Sequence, residues 1–600
     1  MLFVIVIGLD AGWSFHIVRS GLVSAEAHLR RASANLTAGK LSQAQAEFRL
    51  ARDSAESALT FRLHPAGALA SLLPWIGSQS AAVIGLGDTA VASADAGTEL
   101  VRAARALGWD GSGAAALKRG GAVDLTLVKQ SGPLIAQAAA DLRGARVELG
   151  ALNTQGLIAP LADKVSTART AVGSKLVAVR SLSTTFDLVP GLLGGTATRR
   201  YFVGFQDLTE ARGTGGEIGL YGVLTARDGR LSLGTVRSTN DLHAVDIRRT
   251  PGGPVERIRF DTNPNSSPDF PTTADLLLRM WRITSGQSLD GVILVNPLWM
   301  SSVLTVTGPI VVPAWHEPIT ADNVERVMMH DSFLLPRRRS SEVQVAIAQQ
   351  LWDTLLTRQP SLRSLGTALG DSLADRNLLL YSTHSDEETR LQALDADGHF
   401  HPQERDLTVV WNDDLPNHAG YFAERYVDED IALRDDGSAH VETVVQLHNT
   451  APDGPPSPLL GYGRLLPMGL LNSEASIQLP RNARHIVVAG ARGRVQVTTQ
   501  ASSLRFASGR LIVYRGRTGM LRVSYDIDGA ATDTGGHLGY VFRILPQPAP
   551  RPIWYSVSVH APPAAIEASG APHLAGQTAL YQGAPRAPVR VELEYRLPQH

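Results

Sequence analysis

The sequence predicts a multidomain α + α/β + β protein: a helical stalk, a central α/β domain on a mixed sheet, and a C-terminal antiparallel β-sandwich region. Three observations carry this expectation. Residues 20–185 are rich in Ala, Leu and Arg, with apolar positions stepping by three and four. Residues 199–405 alternate short apolar runs with helical segments. From residue 406 onward apolar and polar residues alternate in runs broken by Asp-Gly, Gly-Arg and Pro.

A chain of 600 residues exceeds what one core supports, roughly 250–300 residues. Hydrophobic residues make up 44% and charged residues 19%, a balance that buries cores. A formal net charge of −1 supplies no field for nucleic acid or an anionic membrane. Cysteine is absent, which excludes disulfides, thiol nucleophiles and thiolate metal sites without fixing the compartment.

In chain order, residues 1–18 (MLFVIVIGLDAGWSFHIV) read as a membrane anchor. The run is shorter than the usual ~20 residues and contains Asp10 and His16. It places the bulk of the chain outside the cytoplasm behind a single pass. The stalk at 20–185 opens with two helical sets separated by Gly39, an antiparallel hairpin with a small-residue seam. The segment GKLSQAQAEFRLARDSA is similar to half of one tetratricopeptide repeat, but no second copy follows at that period. Pro65, Pro74 and the glycines of 77–87 interrupt the pattern before helices at 88–107, 123–149 and 157–186. The Gly-rich stretch 190–198 marks the boundary to the central domain.

That domain begins with a buried strand at 201–205, a polar loop at 206–216 and a return strand at 218–226 closed by Asp228-Gly229. A helix at 272–281, a strand at 291–295, a helix at 297–305, a strand at 310–312 and a half-formed capping box at Thr320 and Asn323 follow. Helices at 340–357 and 360–369 precede a strand at 377–382. Two loops supply the candidate ligand site: Gln206, Glu210, Arg212, Thr214, Gly215 and Gly216 from the first, Asn263, Asn265 and Asp269 from the second. Arginine offers a planar fork to phosphate, and carboxylates and amides hold sugar hydroxyls or a divalent ion. The glycines permit positive φ or close approach of backbone to a ligand. A polar loop held by Asx turns accounts for the second set equally well.

Other polar clusters read as scaffold. The sequence at 395–398 is a turn, His384, His399, His401 and His418 are solvated loop histidines, and Arg337, Arg338 and Arg339 form a solvated face. No nucleophile elbow or phosphate-binding loop is present. Between residue 421 and the C-terminus the alternating runs suit one or two immunoglobulin-like sandwiches that extend or support the site.

Three stretches, FQDLTEARGTGGEIGLYGVLT, NPNSSPDFPTTADLL and LDGVILVNPLWMSSVLTVTGPIVV, resemble the bacterial envelope family DUF4012, and the likeness runs over about 199–450. The resemblance implies a membrane-attached extracytoplasmic protein that accompanies envelope polysaccharide machinery, with no established activity. LDGVILVNPLWMSSVLTVTGPIVVP followed by ITADNVERVM is also distantly similar to LytR-CpsA-Psr enzymes. Those enzymes move glycan polymers from polyprenyl diphosphate carriers, using Mg²⁺ held by acidic groups and arginines that neutralise the diphosphate. Where they carry Arg, any residue, Asp, this chain reads Arg212-Gly213-Thr214.

The expectation is therefore a membrane-anchored protein that binds an envelope glycan or its lipid-linked precursor. The alternatives are a divergent phosphotransferase on such a precursor, with Mg²⁺ as cofactor, and a structural spacer.

Overall fold

The computed structural model describes residues 2–60, 74–109, 118–119, 121–249, 253, 255–261, 263–358, 362–402, 405–415, 417–464, 466–490, 496–499, 505–533, 537–561, 566–570 and 572–596. The chain forms two compact units. The first comprises Met1–Arg199 with Ala226–Leu231 and Gln359–Ser364, and the second holds the remainder. The protein is thus a mixed helical and strand-rich, multidomain chain with several sheets.

The first unit is built from α1 (Leu2–Thr37), α2 (Leu41–Leu59), α3 (Pro74–Ala106), α4 (Leu125–Ala151) and α5 (Ala159–Leu192). A small antiparallel pair, β1 (Lys118–Arg119) and β2 (Ala122–Val123), precedes α4. No helix among the described residues is long and apolar enough to cross a membrane. The α1–α2 turn closes at Gly39, where φ is +71°. There Lys40 N donates to Asn35 O at 2.8 Å, the left-handed cap that only glycine adopts without strain. The seam is made of small residues: Ala25, Ala32, Ala44, Ala51 and Ala55 are fully buried around Phe48.

Helix α3 begins at Pro74 rather than near residue 88, so Gly77, Gly85 and Gly87 lie inside a helix. Proline fits the first turn, where no amide partner is lost. The glycines mark contacts, not breaks. A Cβ on Gly87 would lie 2.7 Å from Leu59, and one on Gly97 would lie 2.2 Å from the Phe48 ring. Helix α5 likewise continues through Pro190, inside the stretch expected as a linker. Pro65 lies outside the described residues.

The second unit starts on β3 (Arg199–Arg212), β4 (Gly215–Arg227), β5 (Arg230–Leu233) and β6 (Arg237–Ser238), followed by the hairpin β7 (Val245–Arg248) and β8 (Val255–Ile258). Next come α6 (Phe270–Ser285), β9 (Gly291–Val295), α7 (Pro297–Thr307), α8 (Val324–Met329) and α9 (Arg337–Thr357). Helix α10 (Leu362–Ala374), β10 (Leu378–Ser382) and α11 (Ser385–Ala393) complete the series. The sheet order is β10-β9-β3-β4-β5, with β6 on β4. It is mixed, because β9 runs parallel to β3 and antiparallel to β10. The expected strand at 310–312 is a single bridge, Ile310 to Ile319. The Thr320 box is fuller than expected: Thr320 N donates to Asn323 Oδ1 at 2.8 Å, and Asn323 N donates to Thr320 Oγ1 at 3.3 Å.

Helices cover the sheet through aromatic contacts. Phe202 stacks on Tyr221 at 6.0 Å and meets Trp281 of α6 edge-on at 5.7 Å. Phe205, one face over, packs on Trp352 of α9, which in turn touches Trp299 of α7. Leu294 is fully buried and sits on Gly204, where a Cβ would lie 2.6 Å from its Cδ2.

Beyond residue 405 the strands are β11 (Asp406–Leu407), β12 (Val409–Asp413), β13 (Ala423–Leu433), β14 (Ala439–Asn449), β15 (Leu471–Leu479), β16 (Arg484–Ala489), β17 (Gln496–Thr499), β18 (Arg505–Val513) and β19 (Thr518–Ile527). They continue as β20 (Thr532–Asp533), β21 (His537–Ile544), β22 (Trp554–His560), β23 (Ile566–Ser569), β24 (His573–Ala575), β25 (Thr578–Gly583) and β26 (Val589–Arg596). One sheet runs β16-β19-β14-β13-β22-β25-β24, a second β12-β15-β18-β17, and a third β11-β21-β26-β23 with β20 on β21. Their buried faces share one core that includes Trp411, Tyr525, Phe542, Tyr555 and Tyr595. Pairing is antiparallel except that β13 runs parallel to β22 and β11 parallel to β21, a departure from the all-antiparallel expectation. Each parallel pair joins strands more than a hundred residues apart, so no local turn pattern announces it.

Truncating Leu294 to Ala removes a side chain with no room to collapse around it. Leu294→Ala is expected to destabilise the chain by about 2–5 kcal/mol, read as a lower denaturation midpoint. An unchanged midpoint would contradict this packing.

Candidate functional site

The segment expected as a Gly-rich loop is strand. β3 runs unbroken to Arg212 and β4 starts at Gly215, leaving Gly213 and Thr214 as the turn. A polar strand end stays buried only where its polar groups find partners, and these come from far along the chain. Asp413 Oδ2 accepts from Ala211 N at 2.9 Å, and Asn412 Oδ1 accepts from Gly213 N at 3.1 Å. Gln547 Nε2 donates to Arg212 O at 2.7 Å. The glycines serve the same closure. A Cβ would lie 2.4 Å from Ser266 O at Gly213 and 2.0 Å from Asp207 O at Gly216. The backbone that approaches is the protein's own.

The residues expected to line one site fall into three places. Gln206, Thr214, Gly215, Gly216 and Asn265 form a buried knot. Gln206 Nε2 donates to Thr214 Oγ1 at 3.0 Å and to Gly216 O at 3.3 Å. Asn265 Nδ2 donates to the same two acceptors at 2.9 and 2.7 Å. A Cβ on Gly215, where φ is +135°, would lie 3.1 Å from Gln206 Oε1. Asn263 is exposed outside this knot, its carbonyl accepting from Arg249 Nη1 at 2.9 Å. Asp269 belongs elsewhere: it caps α6, with Oδ2 accepting from Thr272 N at 3.1 Å and Oδ1 from Phe400 N at 3.1 Å.

The third place holds Glu210 and Arg212. Arg212 is 4% exposed. Its Nη1 donates to Ala211 O at 2.9 Å and to Asp413 O at 3.0 Å, and Nη2 lies 3.5 Å from Glu210 Oε2. The guanidinium faces inward, where a phosphate does not reach. The Mg²⁺ implied by the transferase resemblance does not fit here either, because Thr214 stands at the acidic position and its hydroxyl already takes two amide donors.

Glu210 opens onto a cluster that the sequence reading missed. Its carboxyl hydrogen-bonds to Glu217, and burial first, then the Glu217 charge, pushes it well above the usual carboxylate range. Glu217 retains some surface, yet burial also raises it, while the hydrogen bond from Glu210 opposes that rise. Protonation of this pair relieves the repulsion between two buried carboxylates, which is the direction of both shifts. His418, expected in solvent, closes the cluster: Nδ1 lies 2.8 Å from Asp207 Oδ2, 3.0 Å from Thr209 Oγ1 and 3.7 Å from Glu210 Oε1. Its ring stacks on Phe333 at 3.5 Å. Carboxylate and hydroxyl crowd the same nitrogen, whereas a nucleophilic relay needs them on opposite ring nitrogens. Among the described residues no group of three or more His, Asp and Glu is placed to hold a metal.

Behind this cluster Arg425 is 3% exposed, 5.3 Å over the Trp411 ring and 3.6 Å from Asp413 Oδ2. Burial lowers its pKa, and Asp413 opposes that. Of the remaining histidines, His384 lies 2.9 Å from Asp290 and His399 lies 2.8 Å from Asp269, while His401 is exposed as expected. The turn at Asp395, where φ is +55°, and the exposed Arg337–Arg339 run match expectation.

One open cleft adjoins the clamped hairpin. It is shallow, with enclosed room of only about 10 Å³, the space of a single water, and is lined by Leu298, Asp375, Asn377, Gln547, Ile553 and Arg586, with prolines on its walls. Gln547 links the two places, since its amide also donates to Trp411 O at 3.1 Å and accepts from Trp411 N at 2.8 Å. Asp375 is raised by burial and by Asp371, with Arg586 opposing. Glu325 is raised by burial, again opposed by Arg586.

Residues 196–333 match the family described as "Protein of unknown function (DUF4012)". No curated protein matches the chain. A solved structure from Legionella pneumophila, provisionally described as a nutrient binding protein, is 10% identical, with a TM-score of 0.20 over 32% of this chain and 72% of that one. A similarity that slight transfers neither fold nor function.

The raised carboxyls have a measurable consequence. A carboxyl whose folded pKa lies above its ordinary value of 4.5 keeps its proton in the folded chain after the unfolded chain has lost it. Its contribution is complete below that value and is lost as pH rises through the folded pKa. Denaturation midpoints are expected to fall from pH 5 towards pH 8, and Glu210→Gln to flatten part of that fall. A variant with the wild-type slope would remove this pair from the account.

Proposed function

We propose that the protein is a membrane-anchored, extracytoplasmic binding protein for an envelope glycan or its lipid-linked precursor, acting in envelope polysaccharide assembly. The ligand lies in the cleft at Asp375, Asn377, Gln547 and Arg586, not at the hairpin tip. The composition of this shallow surface carries the reading: carboxylate, amide and guanidinium groups are gathered with proline and aliphatic side chains, a set whose polar members pair with vicinal hydroxyls held against the surface. The carboxyls of Asp375 and Glu325 around Arg586 favour a neutral polyol over a diphosphate. The phosphotransferase alternative is weaker, because Arg212 and Thr214, its nearest counterparts, are occupied internally. In the same reading the central sheet is a divergent LytR-CpsA-Psr relative and the three later sheets form sandwiches that support it.

Isothermal titration of a disaccharide linked to a short polyprenyl diphosphate, compared with the free disaccharide, tests the cleft. Arg586→Ala and Asp375→Asn are expected to weaken both ligands by about tenfold or more. Equal binding by wild type and both variants would place the ligand elsewhere.

Topology is tested separately. Protease added to intact spheroplasts is expected to digest residues 20–600. A fully protected chain would overturn the extracytoplasmic assignment.

A further inference from the structure

Two histidines outside the cleft meet in the segment that leads from α11 to β11. The rings of His399 and His401 stand edge-on with centroids 3.4 Å apart. That contact puts both imidazoles on one side of the chain, as residues i and i+2 of an extended segment stand. His399 Nδ1 lies 2.8 Å from Asp269 Oδ1. A carboxylate at that nitrogen favours the tautomer with its proton on Nδ1, which leaves the Nε2 lone pair for a ligand. His401 is exposed. Its pKa is lowered by partial burial first and then by the His399 charge, so the neutral ring is favoured.

The surroundings hold more negative charge than the local structure uses. Asp269, Asp395 and Asp397 all act on His401. Against them stands Arg376, whose Nη2 donates to Pro268 O at 2.8 Å and to Gly398 O at 3.2 Å. Arg543 also feels Asp395 but is paired with Asp406 at 2.6 Å. Asp397 is 2% exposed. Its Oδ1 accepts from His399 N at 3.2 Å, while Oδ2 is buried with no hydrogen-bond partner among the described residues. A carboxylate oxygen buried without a donor is unfavourable unless positive charge stands near it.

Paired imidazoles in a field of carboxylates select a cation that prefers nitrogen. Mg²⁺ and Ca²⁺ take oxygen ligands and would leave both rings unused, whereas imidazole suits Zn²⁺, Ni²⁺ and Cu²⁺. We propose that His399 and His401 bind one divalent transition-metal ion of this class, with Asp269 orienting His399 from behind and Asp397 supplying charge. Among the described residues no group of three or more His, Asp and Glu is placed to hold a metal, so the protein gives two ligands and water fills the other positions. Metal–nitrogen bonds of about 2.0–2.1 Å require the His401 ring to swing outward from His399, which its exposure allows. The ion fastens this segment to the start of α6, because Asp269 both caps α6 and accepts from Phe400 N. The site stands whether or not the cleft binds sugar.

The test titrates the full chain, stripped of metal by a chelator, with Zn²⁺, Ni²⁺ and Cu²⁺ in a calorimeter. Mg²⁺ and Ca²⁺ serve as oxygen-seeking controls. The chain has 17 histidines, so the readout is the tightest equivalent rather than total uptake. Wild type is expected to bind one such equivalent of at least one transition ion, and excess Mg²⁺ or Ca²⁺ should not displace it. His401→Ala and His399→Gln should each weaken it by about tenfold or more, and Asp397→Asn by about tenfold, with unchanged circular dichroism of the metal-free chain. His384→Ala and Arg586→Ala should leave it intact. Electron spin-echo modulation of the Cu²⁺ form should show two coupled imidazoles in wild type and one in His401→Ala.

The site fails if wild type binds no transition ion, or if His401→Ala and His399→Gln keep the tightest equivalent. A Cu²⁺ signal with one imidazole in wild type, or displacement by Mg²⁺ or Ca²⁺, would overturn it as well. Should His399→Gln not fold, the exposed His401→Ala and the wild-type Cu²⁺ signal still decide.

Discussion

A hairpin tip that is polar in sequence and buried in space is the constraint on which the second unit depends. Ala211 N, Gly213 N and Arg212 O take their partners from outside β3 and β4, and the Arg212 guanidinium takes one of its two carbonyls from there as well. Asn412, Asp413 and Gln547 supply those partners. A buried polar group left unmade is unfavourable by about 1–3 kcal/mol, more for a charged one. The α/β sheet and the later strands are therefore conditions of each other's stability. The glycines at 213 and 216 belong to the same constraint, since any side chain there would push the closing backbone away.

The charges sealed behind that closure are handled by three different devices. Glu210 and Glu217 lie against each other with raised pKa values, so taking up a proton relieves their repulsion. Arg212 takes two carbonyls and a carboxylate. Arg425 relies on the face of Trp411 and the nearby Asp413, an arrangement in which ring electrons replace part of the lost hydration. None of the three leaves a charge facing a ligand.

Elements with a local signal were legible in the sequence. The alanine seam of α1 and α2, the strand at Leu294 and Val295, and the alternation along β14, β19 and β26 all depend on residues a few positions apart. What could not be read there depends on distant partners. Gln206, Glu210 and Arg212 looked like a solvated loop because nothing local buries them, and Asp413 and Gln547 stand some 200 and 335 residues away. His418 was misread for the same reason. Two signals were available and passed over. Asp269 precedes Phe270-Pro271 and Thr272, the pattern of a capped helix start with proline in its first turn. Glu217 interrupts an otherwise apolar strand, which calls for a buried partner.

The Gln547 contact also orders events during synthesis. A ribosome adds about 5–20 residues per second, so the amide that seals Arg212 O emerges tens of seconds after the hairpin it completes. Until then β3 and β4 present a half-closed polar tip and an apolar underside, and for part of that interval β13 waits for its parallel neighbour β22. Pairing at such separation closes slowly. The nascent chain therefore carries an unfinished sheet edge through most of its translation, and holding that edge apart from other chains is a task for chaperones rather than for the fold.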